Sequence, residues 1–123
     1  MAEIDYNQLM QNNIARVFNE RDADRRLAAI RGLYAEDATL YEPQDSATGH
    51  AAINDAVTAL LSSLPPDAAF TPTGPAIGHH NLGRLRWQSG PAGGPVVVTG
   101  MDVAQFDNGR IRALYVLLDP PAA

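Results

Sequence analysis

Two carboxylates fall on surfaces that the sequence predicts to be apolar. Glu42 ends a short strand, Ala38 to Glu42, which Pro43 stops, and period-two alternation puts Glu42 on the same face as Leu40. Asp102 lies within an otherwise apolar row of a long predicted hairpin, where it must be hydrogen-bonded, paired or protonated. Desolvation in an apolar cavity raises a carboxyl pKa and makes the carboxylate a better general base near neutral pH. Glu42 and Asp102 are therefore the two acids whose chemistry would matter if both face a common cavity.

Each acid also has a structural interpretation. Glu42 fits a solvated carboxylate at a strand end. Asp102 fits a structural acceptor for a backbone donor on a helix, or for Tyr115, which faces it across the predicted hairpin. The residues alone leave both alternatives open.

A histidine pair and two arginines are the other polar candidates. Counting from Trp87 puts His79 on the apolar strand face, as a wall histidine or as a second acid or base. Arg84 and Arg86 fall on the opposite face, typical of a solvated position. Because the chain has no cysteine and no glutamate at ligand spacing from the histidines, we expect no metal site.

The element that positions Asp102 is a hairpin from Pro95 to Asp119. Asn108-Gly109 predicts a two-residue type I′ turn between two runs of β-branched and apolar residues. Neither face of this hairpin is plainly polar, so we expect both faces to be covered. One cover would be the chain's own helices, and the other a second subunit, which predicts a homodimer through the sheet.

The remaining chain divides into helices and then strands. Apolar residues at helical spacing predict helices from about Ile4 to Asn19, from Asp22 or Asp24 to about Tyr34, and from His50 to Leu64. An irregular or edge strand is expected at Ala69 to Ile77, and a regular strand at His79 to Ser89. This order predicts an α+β fold, with three helices of the N-terminal half packed on a curved antiparallel sheet, a cone-shaped barrel that encloses a pocket.

Composition narrows the function further. With 123 residues, 46% of them hydrophobic and 19% charged, the whole chain 1–123 is expected to form one globular domain. The net charge of −5 and the dispersed arginines argue against a nucleic-acid or anionic-membrane surface. No apolar run approaches the roughly 18 residues of a membrane span, and no signal-like segment opens the chain, so we expect a cytoplasmic protein.

Three segments together resemble a known superfamily. Leu33 to Pro43 (LYAEDATLYEP), Thr48 to Ile53 (TGHAAI) and Gly100 to Ile111 (GMDVAQFDNGRI) are similar to the nuclear-transport-factor-two-like proteins, in particular their SnoaL-like and ketosteroid-isomerase-like branches. The resemblance extends from about Gln11 to Asp119. It implies the fold more strongly than the activity, because these proteins include isomerases, cyclases, epoxide hydrolases and transport factors.

The resemblance gives roles to individual residues. It implies that Glu42 is the general base and Asp102 an uncharged acid that stabilises an oxyanion. The tyrosine that completes the oxyanion hole falls on Ile14, which cannot donate a hydrogen bond, and this argues against steroid isomerisation. Tyr115 would offer a phenol from another direction. The expected wall of the pocket consists of Ile14, Phe18, Tyr34, His79, Trp87, Tyr115 and Leu117.

Three functions follow as expectations. The first is a domain that binds a small apolar or amphipathic molecule and acts as an isomerase or cyclase without a cofactor. The second is a ligand-binding or dimerisation module without turnover. The third is water activation like that of the epoxide hydrolases, which would require an arginine to point inward between Glu42 and Asp102.

Overall fold

Three helices pack on one face of a seven-stranded sheet in the computed structural model, which describes residues 3–120. The helices are α1 (Tyr6–Asn13), which continues as a π-helical turn (Ile14–Phe18), α2 (Ala23–Leu33) and α3 (His50–Ser62). The strands are β1 (Tyr34–Tyr41), β2 (Ser46–Thr48), β3 (Ala68–Pro72), β4 (Ile77–His79), β5 (Leu82–Pro91), β6 (Val98–Asp107) and β7 (Arg110–Leu118). The predicted α+β layout is confirmed.

The sheet differs from the prediction in one pairing and in its closure. Its strand order is β2-β1-β7-β6-β5-β3, with β4 also paired to β5. The β1–β7 pair is parallel and the other pairs are antiparallel, so the curved sheet is mixed and remains open instead of closing into a barrel. Sequence patterns did not reveal this pair, because its two strands are far apart in the chain and alternation carries no information on direction.

The final hairpin forms at the predicted turn but in a shifted register. Asn108 and Gly109 have φ of 50° and 75°, as a type I′ turn requires. Beyond the turn the pairing shifts by one residue, so that Asp102 faces Val116 and not Tyr115. The predicted Asp102–Tyr115 pair was therefore wrong, because a β-bulge near the turn moves each later residue of β7 to the other face.

The apolar stripe of the second helix predicts its three arginines, Arg25, Arg26 and Arg31, on the outer side of the helix. Arg26 is instead buried and joins α2 to α3. Its Nε donates to Asn54 Oδ1 at 2.7 Å, and its other nitrogens donate to the Glu20 carbonyl and the Thr58 hydroxyl. A buried guanidinium is tolerated only when its donors are satisfied. This cluster therefore fixes the helix pair that closes one side of the fold.

The core lies between the helices and the inner face of the sheet. Its fully buried members include Val17, Ile30, Leu40, Ile53 and Leu85. Among residues 3–120, no helix is long and apolar enough to cross a bilayer.

Candidate active site

A cavity of about 230 Å³ opens between the inner face of the sheet and the helices. Most of the side chains that line it are apolar, and three are polar: Glu42, Ser89 and Asp102. The apolar lining residues are Ile14, Phe18, Pro43, Leu60, Leu64, Phe70, Trp87, Val98, Val116 and Leu118. Such a concave apolar space with a few polar groups is the usual form of a small-molecule site.

The two candidate acids line this cavity from neighbouring parts of the sheet. Tyr41 at the end of β1 pairs with Tyr115 of β7, which puts Glu42 beside Val116. Val116 in turn pairs with Asp102 of β6. β1 ends one residue before Glu42, and β6 contains Asp102. Because β7 lies between these two strands, two strand spacings of about 4.8 Å separate them, and their backbones lie about 10 Å apart. Glu42 and Asp102, which are far apart in the chain, thus line the same wall of the cavity.

Asp102 is almost completely enclosed, with 3% of its surface exposed. Its Oδ1 accepts a hydrogen bond of 3.0 Å from Trp87 Nε1. Burial raises the pKa of Asp102 from its ordinary 3.8 to about 7, while the hydrogen bond from Trp87 acts in the opposite direction. Near neutral pH the group therefore populates both the carboxylic acid, which can donate a hydrogen bond, and the carboxylate.

Gly100 allows Trp87 to reach Asp102. Trp87 of β5 pairs with Gly100 of β6, and the indole ring of Trp87 lies over the glycine. A Cβ on Gly100 would come within 2.6 Å of the indole ring and 2.5 Å of the Leu117 carbonyl oxygen. The absence of a side chain at this position is therefore required for the observed placement of the indole.

Glu42 lies half-buried at the edge of the cavity, where the chain turns after β1. Its backbone N–H donates to the Asp45 carbonyl at 2.8 Å, and Asp45 N–H donates back at 3.3 Å. Burial raises the pKa of Glu42, and the nearby Asp45 charge raises it further. Both effects increase the basicity of the Glu42 carboxylate.

Five of the nine predicted site residues line the cavity. They are Glu42, Asp102, Ile14, Phe18 and Trp87. Ile14 and Phe18 begin and end the π-helical turn, whose wider helical repeat presents both side chains to the same space.

Tyr34 and His79 lie outside the cavity lining. Tyr34 is wholly buried in the core, where its hydroxyl donates to Asn13 Oδ1 at 2.6 Å, and burial together with the Asp102 charge raises its pKa. His79 is exposed and its Nδ1 lies 2.8 Å from Nδ1 of His80. The positive φ of His80 and Asn81 turns the chain there, which the count back from Trp87 did not include.

Tyr115 and Leu117 also lie away from the cavity, on the outer face of the sheet. Tyr115 is 43% exposed and stacks on Tyr41 with ring centroids 4.6 Å apart. Leu117 pairs with Met101 and is half exposed. Both positions follow from the bulge that shifts the register of β7.

Sequence reasoning did not assign eight further lining residues to the cavity. They are Pro43, Leu60, Leu64, Phe70, Ser89, Val98, Val116 and Leu118. Ser89 shares the inner face with Trp87 by simple alternation, and Leu60 and Leu64 belong to the predicted apolar stripe of α3, so these positions carried a usable signal. Val116 and Leu118 required knowledge of the bulge.

The arginines and histidines offer no alternative chemistry here. Arg84 and Arg86 are exposed, and no arginine is among the residues of the described range 3–120 that line the cavity. The arrangement therefore lacks the inward arginine that water activation between two carboxylates would need. Within residues 3–120, no group of three or more potential ligand side chains could hold a metal ion.

Comparisons with known proteins identify relatives of the whole fold. A family model described as a SnoaL-like domain matches residues 13–114. A provisionally assigned isomerase of the SnoaL-like family from Agrobacterium tumefaciens is 27% identical, with a TM-score of 0.86 over 94% of this chain and 97% of that chain.

Two other solved structures agree in fold. A provisionally assigned polyketide cyclase from Sinorhizobium meliloti is 16% identical, with a TM-score of 0.70 over 89% of this chain and 93% of that one. A provisionally assigned ketosteroid isomerase from Kribbella flavida is 18% identical, with a TM-score of 0.69 over 96% and 83%. No curated protein matches the sequence.

Proposed function

The chain belongs to the SnoaL-like family, and from this premise we propose that it is a small-molecule enzyme that moves a proton next to a carbonyl group, as an isomerase or a cyclase does. The observation that carries this proposal is the pair of acids, Glu42 and Asp102, on one apolar cavity. The relative from Agrobacterium tumefaciens, described as an isomerase, supports the reaction class.

The roles follow from the surroundings of each acid. Glu42, at the edge of the cavity and with a raised pKa, takes the proton from the carbon next to the carbonyl. Asp102 in its protonated form donates a hydrogen bond to the oxygen that becomes the enolate. With a β,γ-unsaturated carbonyl substrate, protonated Glu42 then returns the proton to the γ-carbon of the dienolate, so that the enzyme regains its starting state and the carbon–carbon double bond moves next to the carbonyl group.

The donor set of the cavity is small. Ile14 lines the cavity where the resemblance would put a tyrosine, and its side chain has no hydrogen-bond donor. Ser89 lies two residues from Trp87 on the same face and lines the cavity, so its hydroxyl is available as a second donor to the substrate oxygen. The proposed oxyanion site is thus a carboxylic acid and a hydroxyl.

The test is proton exchange, which requires no knowledge of the natural substrate. In D2O, an enzyme that removes a proton next to a carbonyl replaces the α-hydrogens of a small ketone with deuterium, and proton NMR measures the loss. We expect wild-type protein to accelerate exchange of cyclohexyl methyl ketone, and we expect Glu42→Gln to abolish the acceleration without lowering its melting temperature. Glu36→Gln, which changes an exposed glutamate of β1, the strand that ends just before Glu42, is the matched control and should keep full activity.

A second candidate function is ligand binding without turnover, and Ile14 favours it because it leaves the oxyanion site without a phenol. Under this alternative, ketones bind and no exchange exceeds that of the buffer. Ketone binding with exchange no faster than in buffer would support this alternative, whereas equal exchange rates above the buffer rate for wild type and Glu42→Gln would contradict the assignment of Glu42 as the base.

We also propose that the protein is a homodimer that associates through the outer face of the sheet. The stacked Tyr41 and Tyr115 rings are exposed on this face, together with Leu117, which is half exposed. An exposed apolar patch of this kind is typical of a protein interface.

A further inference from the structure

The size of the cavity limits the substrate. Liquid water occupies about 30 Å³ per molecule, and bonded heavy atoms occupy less, so about 230 Å³ accommodates roughly ten to thirteen heavy atoms. This is the size of one ring with a short substituent. A four-ring steroid has about twice as many heavy atoms, so a large part of it would have to remain outside the cavity.

The aromatic end of the cavity is not easily widened. The Phe70 ring contacts the Phe18 ring edge-to-face at a centroid distance of 6.1 Å and the Trp87 ring at 5.3 Å. All three side chains are buried. The indole N–H of Trp87 also donates a hydrogen bond to Asp102, and the indole ring packs on the backbone of Gly100. Interlocked rings in a close-packed interior resist a shift of any one member.

The charge of the cavity limits the substrate as well. Its ionisable groups are Glu42 and Asp102, and among the described residues no arginine or histidine lines it. A carboxylate or phosphate on the substrate would be desolvated beside a like charge without a cation to pair with. An uncharged carbonyl oxygen instead meets the hydroxyl of Ser89 and the protonated form of Asp102.

We propose that the substrate is an uncharged, one-ring or similarly small carbonyl compound, and that the cavity excludes both anionic compounds and fused polycyclic ones. This inference rests on the proposed function in that it takes the cavity as the substrate site. It goes further because it selects a size and a charge class.

The single tryptophan of the chain lines the cavity, so its fluorescence reports occupancy directly. Two probes of equal size differ in charge: cyclohexyl methyl ketone and cyclohexanecarboxylate. Androstenedione serves as the polycyclic ketone. We expect saturable binding of the cyclohexyl ketone that is tighter by about tenfold or more than binding of each of the other two.

The following outcomes overturn the inference. Equal or tighter binding of the carboxylate contradicts the charge limit, and equal or tighter binding of androstenedione contradicts the size limit. Failure of the cyclohexyl ketone to bind at millimolar concentration contradicts the proposal as a whole. Ketone binding without α-proton exchange would contradict the proposed proton transfer and leave this inference intact. Faster exchange on androstenedione than on the cyclohexyl ketone would contradict the size limit and leave the proposed proton transfer intact.

A pair of variants tests the size limit independently. Leu60 lines the cavity and is only partly buried, so Leu60→Ala should enlarge the space without unfolding the chain. We expect this variant to bind a perhydrophenanthrenone, a three-ring ketone with more heavy atoms than the wild-type cavity accommodates, several-fold more tightly than wild type. Leu9→Ala, a partly buried leucine outside the cavity lining, is the matched control and should leave the affinity unchanged. Equal gains in both variants would contradict the size limit.

Discussion

Replacing Asp102 with asparagine should stabilise the protein by an amount that grows as pH rises from about 4 to about 7. The unfolded chain holds this carboxyl at its ordinary pKa of 3.8, and burial raises the pKa to about 7 in the folded state. Between these values the folded state binds the extra proton, so the free energy of unfolding falls as pH rises through this window and stays low above pH 7. A difference of about three pH units corresponds to a loss of about 4 kcal/mol.

Asparagine has nearly the same shape and remains uncharged. Its Oδ1 can still accept the hydrogen bond from Trp87 Nε1. Asp102→Asn should therefore match wild type near pH 4 within about 1 kcal/mol and exceed it at pH 8 by up to about 4 kcal/mol. Such a gain would mean that the acid is present for its chemistry and lowers the stability of the fold.

Urea unfolding at pH 4 and pH 8 measures the difference in free energy of unfolding between the variant and wild type. Circular dichroism is the signal, because the fluorescence of Trp87 would itself respond to a change at residue 102. Asp107→Asn, an exposed aspartate of the same strand, is the control and should show no comparable rise between the two pH values. The reasoning is refuted if Asp102→Asn is no more stable than wild type at pH 8, or if the difference between them does not depend on pH.

Three further predictions follow from other contacts. Gly100→Ala should displace the indole from Asp102 and raise the Asp102 pKa above about 7 in a carbon-13 NMR titration; an unchanged titration would contradict the role of the glycine. Asn54→Ala should remove a 2.7 Å acceptor of the buried Arg26 guanidinium and lower the free energy of unfolding by about 2 kcal/mol, and a loss near zero in urea titration would argue against the helix-joining role. Tyr115→Glu should convert the proposed dimer to a monomer in sedimentation velocity; a wild-type monomer at micromolar concentration would refute the dimer itself.

The architecture was predictable from the sequence because its signals are local. Helical periodicity, Pro43 after a strand and the Asn108-Gly109 turn each act within a few residues, and these parts agree with the structure. The placement of Glu42 on the face of Leu40 was correct for the same reason.

The parts that failed depend on non-local or rare features. Because of one bulge near the hairpin turn, Tyr115 and Leu117 lie on the outer face and not on the predicted inner face, and no residue type in the sequence indicates this bulge. The buried position of Arg26 depends on acceptors supplied by α3, about thirty residues away in the chain. Cavity residues were thus predictable where alternation was unbroken, as at Trp87, and not beyond an irregularity.

The most direct test of the central claim observes both acids together. With carbon-13 label in the carboxyl groups, NMR resolves the side-chain resonances of Glu42 and Asp102 with and without cyclohexyl methyl ketone. We predict that the ketone shifts both resonances and changes the pKa of both groups, because one ligand in the cavity desolvates the two acids at once. A ketone that binds and perturbs only one of them, or neither, would contradict a shared site.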